Sequence, residues 1–266
     1  MHKRHTARET YFKELAQTSE KYFIPFIKKQ KPITDRLSIF EIGCGEGGNL
    51  LPFAKRGCKV TGIDISETRI KQANDFFASE KAQGIFLLKD IFSYNSLAAE
   101  RERERERERY DIIITHDVIE HVRQKKELLA IAASLLHAQG SIHVGFPPWQ
   151  MPFGGHQQIA KDKYVSRIPF IHLLPTFLYQ KILKKVENKA VIEELLDIKK
   201  CGTSIELFKK TVSATCLNIS DEVFYFINPH YETKFGLKPR KLWTVISLIP
   251  WVRNFFTTSY FCILAK

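Results

Sequence analysis

No apolar run in the chain is long enough to cross a bilayer. The longest, residues 242–252, is interrupted by Thr244 and Ser247 and falls well short of the ~18 residues a spanning helix needs. The opening residues, Met1-His2-Lys3-Arg4-His5, lack the apolar core of a secretory leader. Cysteine is sparse. Cys44, Cys58, Cys201, Cys216 and Cys262 are odd in number, widely spaced and include no Cys-x-x-Cys pair. That spacing argues against a disulfide frame or a zinc site and suits reduced thiols, so a cytoplasmic protein without a metal is expected. With 13 glycines and 11 prolines in 266 residues, collagen-like sequence is excluded. What is present, 44% apolar and 26% charged residues, is the composition of one large domain, or of a domain with a sizeable addition.

Charge is the compositional oddity. The formal balance is +12, and from residue 151 onward there are 17 Lys/Arg against 9 Asp/Glu. A basic half suits nucleic acid, an anionic membrane surface, an acidic small substrate or a solvated face. No RNA-recognition module or aromatic platform is readable, so no specific nucleic-acid partner is expected. Oligomeric state has no signature here.

Along the chain, residues 6–30 place Tyr11, Leu15, Tyr22, Phe23 and Phe26 at helical spacing and predict an amphipathic helix ending before Lys31-Pro32. An alternation follows. Strands are predicted at 38–42, 58–63, 84–88, 110–115 and 141–145, with helices through Leu50, Leu51 and Phe53, over 67–81 and near 124–137. A helix at 204–216 and strands at 222–228 and 257–264, separated by a helix around 241–256, complete the chain. Short apolar strands alternating with helices predict an α/β fold with a parallel sheet covered on both faces.

Two stretches interrupt the pattern. The Glu-Arg repeat at 100–109 reads as a solvated loop, because a charged low-complexity run cannot build a core. The second is an insert from 147 to 202, opening Pro147-Pro148-Trp149-Gln150-Met151-Pro152-Phe153-Gly154-Gly155-His156-Gln157-Gln158 and continuing into helices. One face of these helices is basic (Lys181, Lys184, Lys185, Lys189, Lys199, Lys200). They suit an added layer on the sheet, a lid over a substrate, or docking on an anionic membrane.

The loop Glu41-Ile42-Gly43-Cys44-Gly45-Glu46-Gly47-Gly48 ends the first strand and opens a helix, where glycines let a ligand lie against bare main chain. Gly43, Gly45 and Gly48 also satisfy the dinucleotide fingerprint Gly-x-Gly-x-x-Gly. A dinucleotide would set a pyrophosphate at the helix start, where Glu41 would repel it; a cationic ligand would be attracted. Asp64, after the second strand, can accept hydrogen bonds from ribose hydroxyls under either cofactor. Asp90, after the third, can accept from an exocyclic amine, with Ile65 and Ile91 able to flank a ring.

The set Glu41-x-Gly43-x-Gly45-x-Gly47, Asp64, Asp90-Ile91 and Thr115-His116-Asp117-Val118-Ile119-Glu120-His121-Val122 resembles the class I S-adenosylmethionine (SAM)-dependent methyltransferases over residues 36–146. Within them it is similar to the broad group with a Val-Leu-Glu-His-like segment after strand four, which includes quinone- and sugar-modifying enzymes. The resemblance implies a Rossmann-like, mostly parallel seven-stranded sheet in the order 3-2-1-4-5-7-6, with a helical insert after strand five. It implies SAM as cofactor: Glu41, Gly43, Gly45 and Gly47 around the methionine part, Asp64 at the ribose, and Asp90 and Ile91 at the adenine, with Cys44 and Ile65 also counted to the cofactor site. His116 and Asp117 would line the wall beneath the methyl group. The division expected is an N-terminal helical segment (1–35), a SAM-binding core (36–146), a helical insert or lid (147–202) and the C-terminal part of the sheet (203–266).

Methyl transfer to oxygen or nitrogen needs alignment and removal of a proton. His121, Glu120 and His156 are the candidates for that chemistry. Pro147, Trp149, Gln150, Phe153 and Gln157 are the candidate substrate contacts, with Gly154-Gly155 as a hinge. The acceptor is expected to be a small molecule or a glycan- or lipid-linked intermediate. Two other readings stay open: an NAD(P)-dependent oxidoreductase, for which no Tyr-x-x-x-Lys pair is found, and a catalytically silent SAM-binding or RNA-binding module.

Overall fold

The computed structural model of the protein describes residues 8–94 and 109–266. The Glu-Arg repeat, up to Glu108, lies outside the described residues. Among the described residues, eight strands form one sheet: β1 (Ser38–Ile42), β2 (Lys59–Asp64), β3 (Ile85–Leu88), β4 (Tyr110–His116), β5 (Leu136–Phe146), β6 (Asn218–Ile227), β7 (Arg240–Lys241) and β8 (Ser259–Ala265). Their order is β3-β2-β1-β4-β5-β8-β6-β7. The first five are parallel, and β8 runs antiparallel between β5 and β6.

The central strands are buried on both faces, so their side chains divide by parity between two cores. Phe40, Ile113, Ile142 and Leu264 point to one, together with Leu128 and Leu129 of the helix Lys125–Ser134 and Phe208 of the helix Ile205–Ser213. Ile39, Ile112, Ile114 and Ile263 point to the other, together with Phe12 and Phe23 of the N-terminal helix and Phe77 of the helix Glu67–Ser79. A third apolar cluster (Val165, Ile171, Tyr179, Leu183, Leu195) belongs to the insert, whose helices are Thr176–Val186 and Lys189–Cys201.

Three expectations change. The sheet has an eighth strand, β7, antiparallel at the edge; its two exposed residues carry no apolar pattern to announce it. The single helix expected around 241–256 is two, Thr244–Ser247 and Val252–Phe256, because Pro250 interrupts the segment and Trp251 turns to φ +66°. The first helix runs from Arg8 to Ile27 but widens to a π-turn at Ser19–Phe23. Pro25 lacks an amide hydrogen and its ring crowds the preceding turn, which the wider turn accommodates.

The helix Ile205–Ser213 is fastened to the sheet by Phe208, whose ring lies 5.1 Å from that of Phe146 on β5 and 6.1 Å from that of Tyr260 on β8. Phe208 is fully buried. Phe208→Ala should lower unfolding free energy by about 3–5 kcal/mol, measurable by urea titration; a loss under ~1 kcal/mol would contradict this packing.

Candidate active site

The C-terminal ends of β1, β2, β4 and β5 meet at one edge of the sheet, the edge where open α/β sheets receive ligands. The loop after β1 turns sharply there. Gly43 has φ +71° and a Cβ on it would meet Val118 Cγ2 at 2.5 Å; Gly47 has φ +81° and a Cβ would meet the Phe86 ring at 2.8 Å. Both positions therefore require glycine. Gly45 differs, since a Cβ there would meet nothing within 4 Å. It is the place in this loop where main chain faces open space.

The loop is held by β2. Ile63 O accepts from Gly43 N and Cys44 N, both at 2.9 Å. Asp64 accepts from Gly45 N at 3.0 Å through Oδ2 and from Ser66 N at 2.8 Å through Oδ1. Asp64 is buried and still has lone pairs for a ligand hydroxyl. Cys44 turns its side chain into the core beneath the loop, so only its backbone belongs to the site.

Glu41 does not stand in the open as an anion. It is fully buried, accepts from Asn49 Nδ2 at 2.7 Å through Oε1, and has no partner at Oε2. Burial, with a small push from Asp64, raises its carboxyl to about 8. The electrostatic attraction read from the sequence thus requires Glu41 to ionise when a cationic group approaches. Asn49 was not singled out in the sequence, although its place eight residues on, past the glycine turn, returns it to the same strand end.

At the end of β3, Asp90 is exposed and accepts from Phe92 N at 2.9 Å. Ile65 is exposed at the edge, whereas Ile91 is buried in the sheet core. Ile91 therefore packs with the sheet core, while Ile65 stays at the open rim. His116 ends β4 in a closed aromatic box: its ring lies 4.6 Å from Phe23 and 5.4 Å from Phe261, and His143 lies 4.8 Å from Phe23. Burial lowers both histidines, His143 to about 3. The N-terminal helix thus closes this wall. Asp117 follows with φ +54° and a half-exposed carboxylate, 3.7 Å from His116 Nε2.

Beyond Val118, which packs over Gly43, the short turn Ile119–His121 presents Glu120 and His121. The insert brings His156 to them: the His121 and His156 rings are 4.7 Å apart, and His121 Nε2 is 3.9 Å from Glu120 Oε1. All three expected catalytic residues therefore converge, although 35 positions separate His121 from His156. Burial raises Glu120 well above the ordinary carboxylate range, with Asp117 adding to it. Burial lowers His121, and lowers His156 to about 4. Lys125, a residue without a sequence signal, donates to Val122 O at 2.6 Å and to Cys201 O at 2.7 Å. It clamps the exit of β4 to the end of the insert.

The insert's opening loop is built more tightly than a hinge. A Cβ on Gly154 would meet Trp149 O at 2.3 Å, and one on Gly155 would meet His172 Cβ at 2.2 Å. These glycines allow close approach and so present His156, whose φ is +53°. Trp149 stands over His172 and Gly202, and its carbonyl is 2.7 Å from His172 Nε2. Gln157 is fully buried and donates to Pro152 O and Ile168 O at 2.9 and 3.2 Å. Its amide nitrogen secures the loop, leaving Pro147, Gln150 and Phe153 as half-buried residues at the rim. Lys199, counted with the basic face, instead donates to His172 O and Leu174 O at 2.6 and 2.9 Å.

Comparison with known proteins agrees with this fold. A family model described as "Methyltransferase domain" matches residues 40–142. The ubiquinone biosynthesis O-methyltransferase of Caulobacter vibrioides (strain ATCC 19089 / CIP 103742 / CB 15) is 37% identical over 108 residues, 41% of this chain and 40% of that protein. The first curated relatives are thus matched over about two fifths of their length. The protein of the same description from Rhizobium leguminosarum bv. trifolii (strain WSM2304) is 27% identical over 229 residues, 86% of this chain and 76% of its own. Among solved structures, the plantazolicin methyltransferase BpumL, in complex with a triazolic desmethylPZN analog and SAH, superposes with a TM-score of 0.54 at 18% identity, covering 97% of this chain and 86% of its own. Residues 40–142 of the chain thus form a methyltransferase domain, and the fold around it is one shared with solved SAM-dependent methyltransferases.

Proposed function

We propose that the protein transfers a methyl group to a hydroxyl of a small or lipid-linked acceptor. The observation that carries this is the convergence of Glu120, His121 and His156 beside Val118, which packs on the glycine loop. The O-methyltransferase activity named for the relatives supports oxygen as the acceptor atom. When bound, SAM supplies an electrophilic methyl group on a sulfonium. The site's residues suit that ligand: open main chain at Gly45, a buried carboxylate oxygen of Glu41 without a partner, and lone pairs on Asp64.

Each residue then has a task. The glycine loop and Asp64 orient the nucleoside and methionine parts, and Glu41 ionises to face the positive end. The aromatic box of Phe23, His116 and Phe261 keeps water from the wall beside them. Pro147, Trp149, Gln150 and Phe153 shape the acceptor's approach, with Asp90 and Ile65 at the outer rim of the cofactor site. Glu120, His121 and His156 receive the acceptor hydroxyl and deal with its proton. Orientation of two reactants is worth up to ~7–11 kcal/mol, and proton handling a further ~10²–10⁴ in rate.

An apolar surface supports a lipid-linked acceptor. Trp243, Val245, Leu248 and Trp251 are exposed, as is Phe177 of the insert, and Phe170 of the insert meets Phe255 at 6.3 Å. Lys181, Lys184 and Lys185 lie exposed on the insert helix. Aromatic residues with nearby lysines suit the interface of an anionic bilayer. No helix among the described residues is long and apolar enough to cross a membrane, so the contact would be peripheral.

Calorimetry should find saturable SAM binding and none with NAD; NAD binding alone would end this reading. Glu41→Gln keeps the Asn49 bond but cannot ionise. Because folding raises the Glu41 carboxyl to about 8, its contribution to stability declines as pH rises from ~4.5 towards that value. The ligand-free variant should therefore gain in melting temperature over wild type as pH goes from 5 to 8, while its SAM affinity falls at least about tenfold at pH 8. Equal melting curves at both pH values would contradict the buried protonated carboxyl. On vesicles containing anionic lipid, Trp243→Ala/Trp251→Ala should sediment less than wild type; unchanged sedimentation would remove the membrane contact.

A further inference from the structure

Asn49 is 5% exposed and stands in the short turn Gly48–Leu50 that follows the glycine loop. Its Nδ2 donates to Glu41 Oε1 at 2.7 Å, and among the described residues no other side chain donates to that carboxyl. Glu41 Oε2 and Asn49 Oδ1 are buried and have no partner. One bonded pair of side chains thus carries two dry acceptors, a costly arrangement unless a donor arrives. An ammonium, with three N–H donors and a positive charge, meets that need. The turn that carries Asn49 is itself fixed. The Ser19 hydroxyl, fully buried in the π-turn of the N-terminal helix, donates to Asn49 O at 2.8 Å. A Cβ on Gly48 would meet Phe12 O at 2.6 Å, so the same helix lies directly on this turn. Asn49 therefore has little freedom to withdraw from Glu41.

We propose that Asn49 is a positioning residue for the cofactor: its amide fixes the Glu41 carboxyl at the end of β1 and stabilises it as an anion, the form that receives the ammonium of SAM. This role rests on SAM being the ligand, as in the methyl-transfer reading, and holds whichever acceptor is methylated.

The surroundings of Glu41 otherwise oppose its ionisation. Burial and Asp64 of β2 push its carboxyl up, and the Asn49 bond pulls it down. Burial also pushes up the Cys44 thiol, which has Glu41, Asp64 and Glu46 around it. Glu46 is paired with Arg8 of the N-terminal helix at 3.0 Å, and His116 at the end of β4 is lowered by burial. Below about pH 8, SAM binding therefore releases the Glu41 proton to solvent. Without the Asn49 donor the anion costs more, and SAM binds more weakly at neutral pH.

Two measurements on the full chain test this. In the ligand-free protein, the Glu41 ¹³C carboxyl resonance should titrate near pH 8 in wild type and about one pH unit higher in Asn49→Ala. A role limited to packing would move it the other way, because a loosened turn admits water; a midpoint unmoved or lowered would overturn the proposal. By calorimetry at pH 7, Asn49→Ala should bind SAM about tenfold more weakly than wild type. Added to Glu41→Gln, the same substitution should change affinity by at most about threefold, since no anion remains to stabilise. Losses that multiply in the double variant would overturn the proposal. If Asn49→Ala does not fold, wild type decides. Its Asn49 side-chain amide resonances should titrate with the Glu41 midpoint and move on saturation with SAM; resonances insensitive to both would overturn the role. Wild type that binds no SAM would overturn this role and the methyl-transfer reading together, whereas equal SAM binding by wild type and Asn49→Ala would overturn this role alone.

Discussion

The last two residues of β2 hold the loop that follows β1. Ile63 supplies one carbonyl to two amides, and the Asp64 carboxylate spans Gly45 and Ser66. These bonds hold Gly43 and Gly45 left-handed and commit Asp64 to the strand edge before any ligand arrives. Because β1 and β2 are parallel neighbours in register, the sheet itself supplies the alignment. Val118 then rests on Gly43, so the position of the segment after β4, with Asp117, Glu120 and His121, follows from the same loop. Loosening this joint would disturb the cofactor edge and the acceptor edge together.

Burial governs the ionisable groups around that joint, and it acts in opposite directions on acids and bases. Glu41 and Glu120 are raised, while His116, His121, His143 and His156 are lowered. Burial thus favours the neutral form of Glu41, Glu120 and these imidazoles. In the proposed reading, the sulfonium and ammonium of SAM beside Glu41 would supply a charge that draws it to ionise. The histidines divide by location: His116 and His143 are shut in with Phe23 and Phe261, whereas His121 is only partly enclosed.

Much of the fold was legible because parallel strands read as short apolar runs closed by glycine or aspartate. Ile112-Ile113-Ile114 can be little else than a strand buried on both faces. The glycine loop was legible for a similar reason, since left-handed turns restrict residue choice. Side-chain direction was less so. Cys44, Ile91 and Gln157 share the strand-end or loop placement of the other candidates, yet pack inward or bind their own loop. Gly154 and Gly155 look like a hinge in sequence because absence of a side chain permits both motion and close contact; contact with Trp149 and His172 is what they make. Two-residue β7 and the break at Pro250 lie below the length at which periodicity carries information.

Residue type and local period determined the strand–helix alternation, the left-handed glycine turn and the acids at the strand ends, because each is decided within a few residues of chain. Only the tertiary structure decided that His156 returns to Glu120 and His121, that Phe23 closes over His116, and that Glu41 is dry. Those are meetings between segments distant in sequence, and water exclusion is a property of what the whole chain packs around a group, which no local pattern encodes.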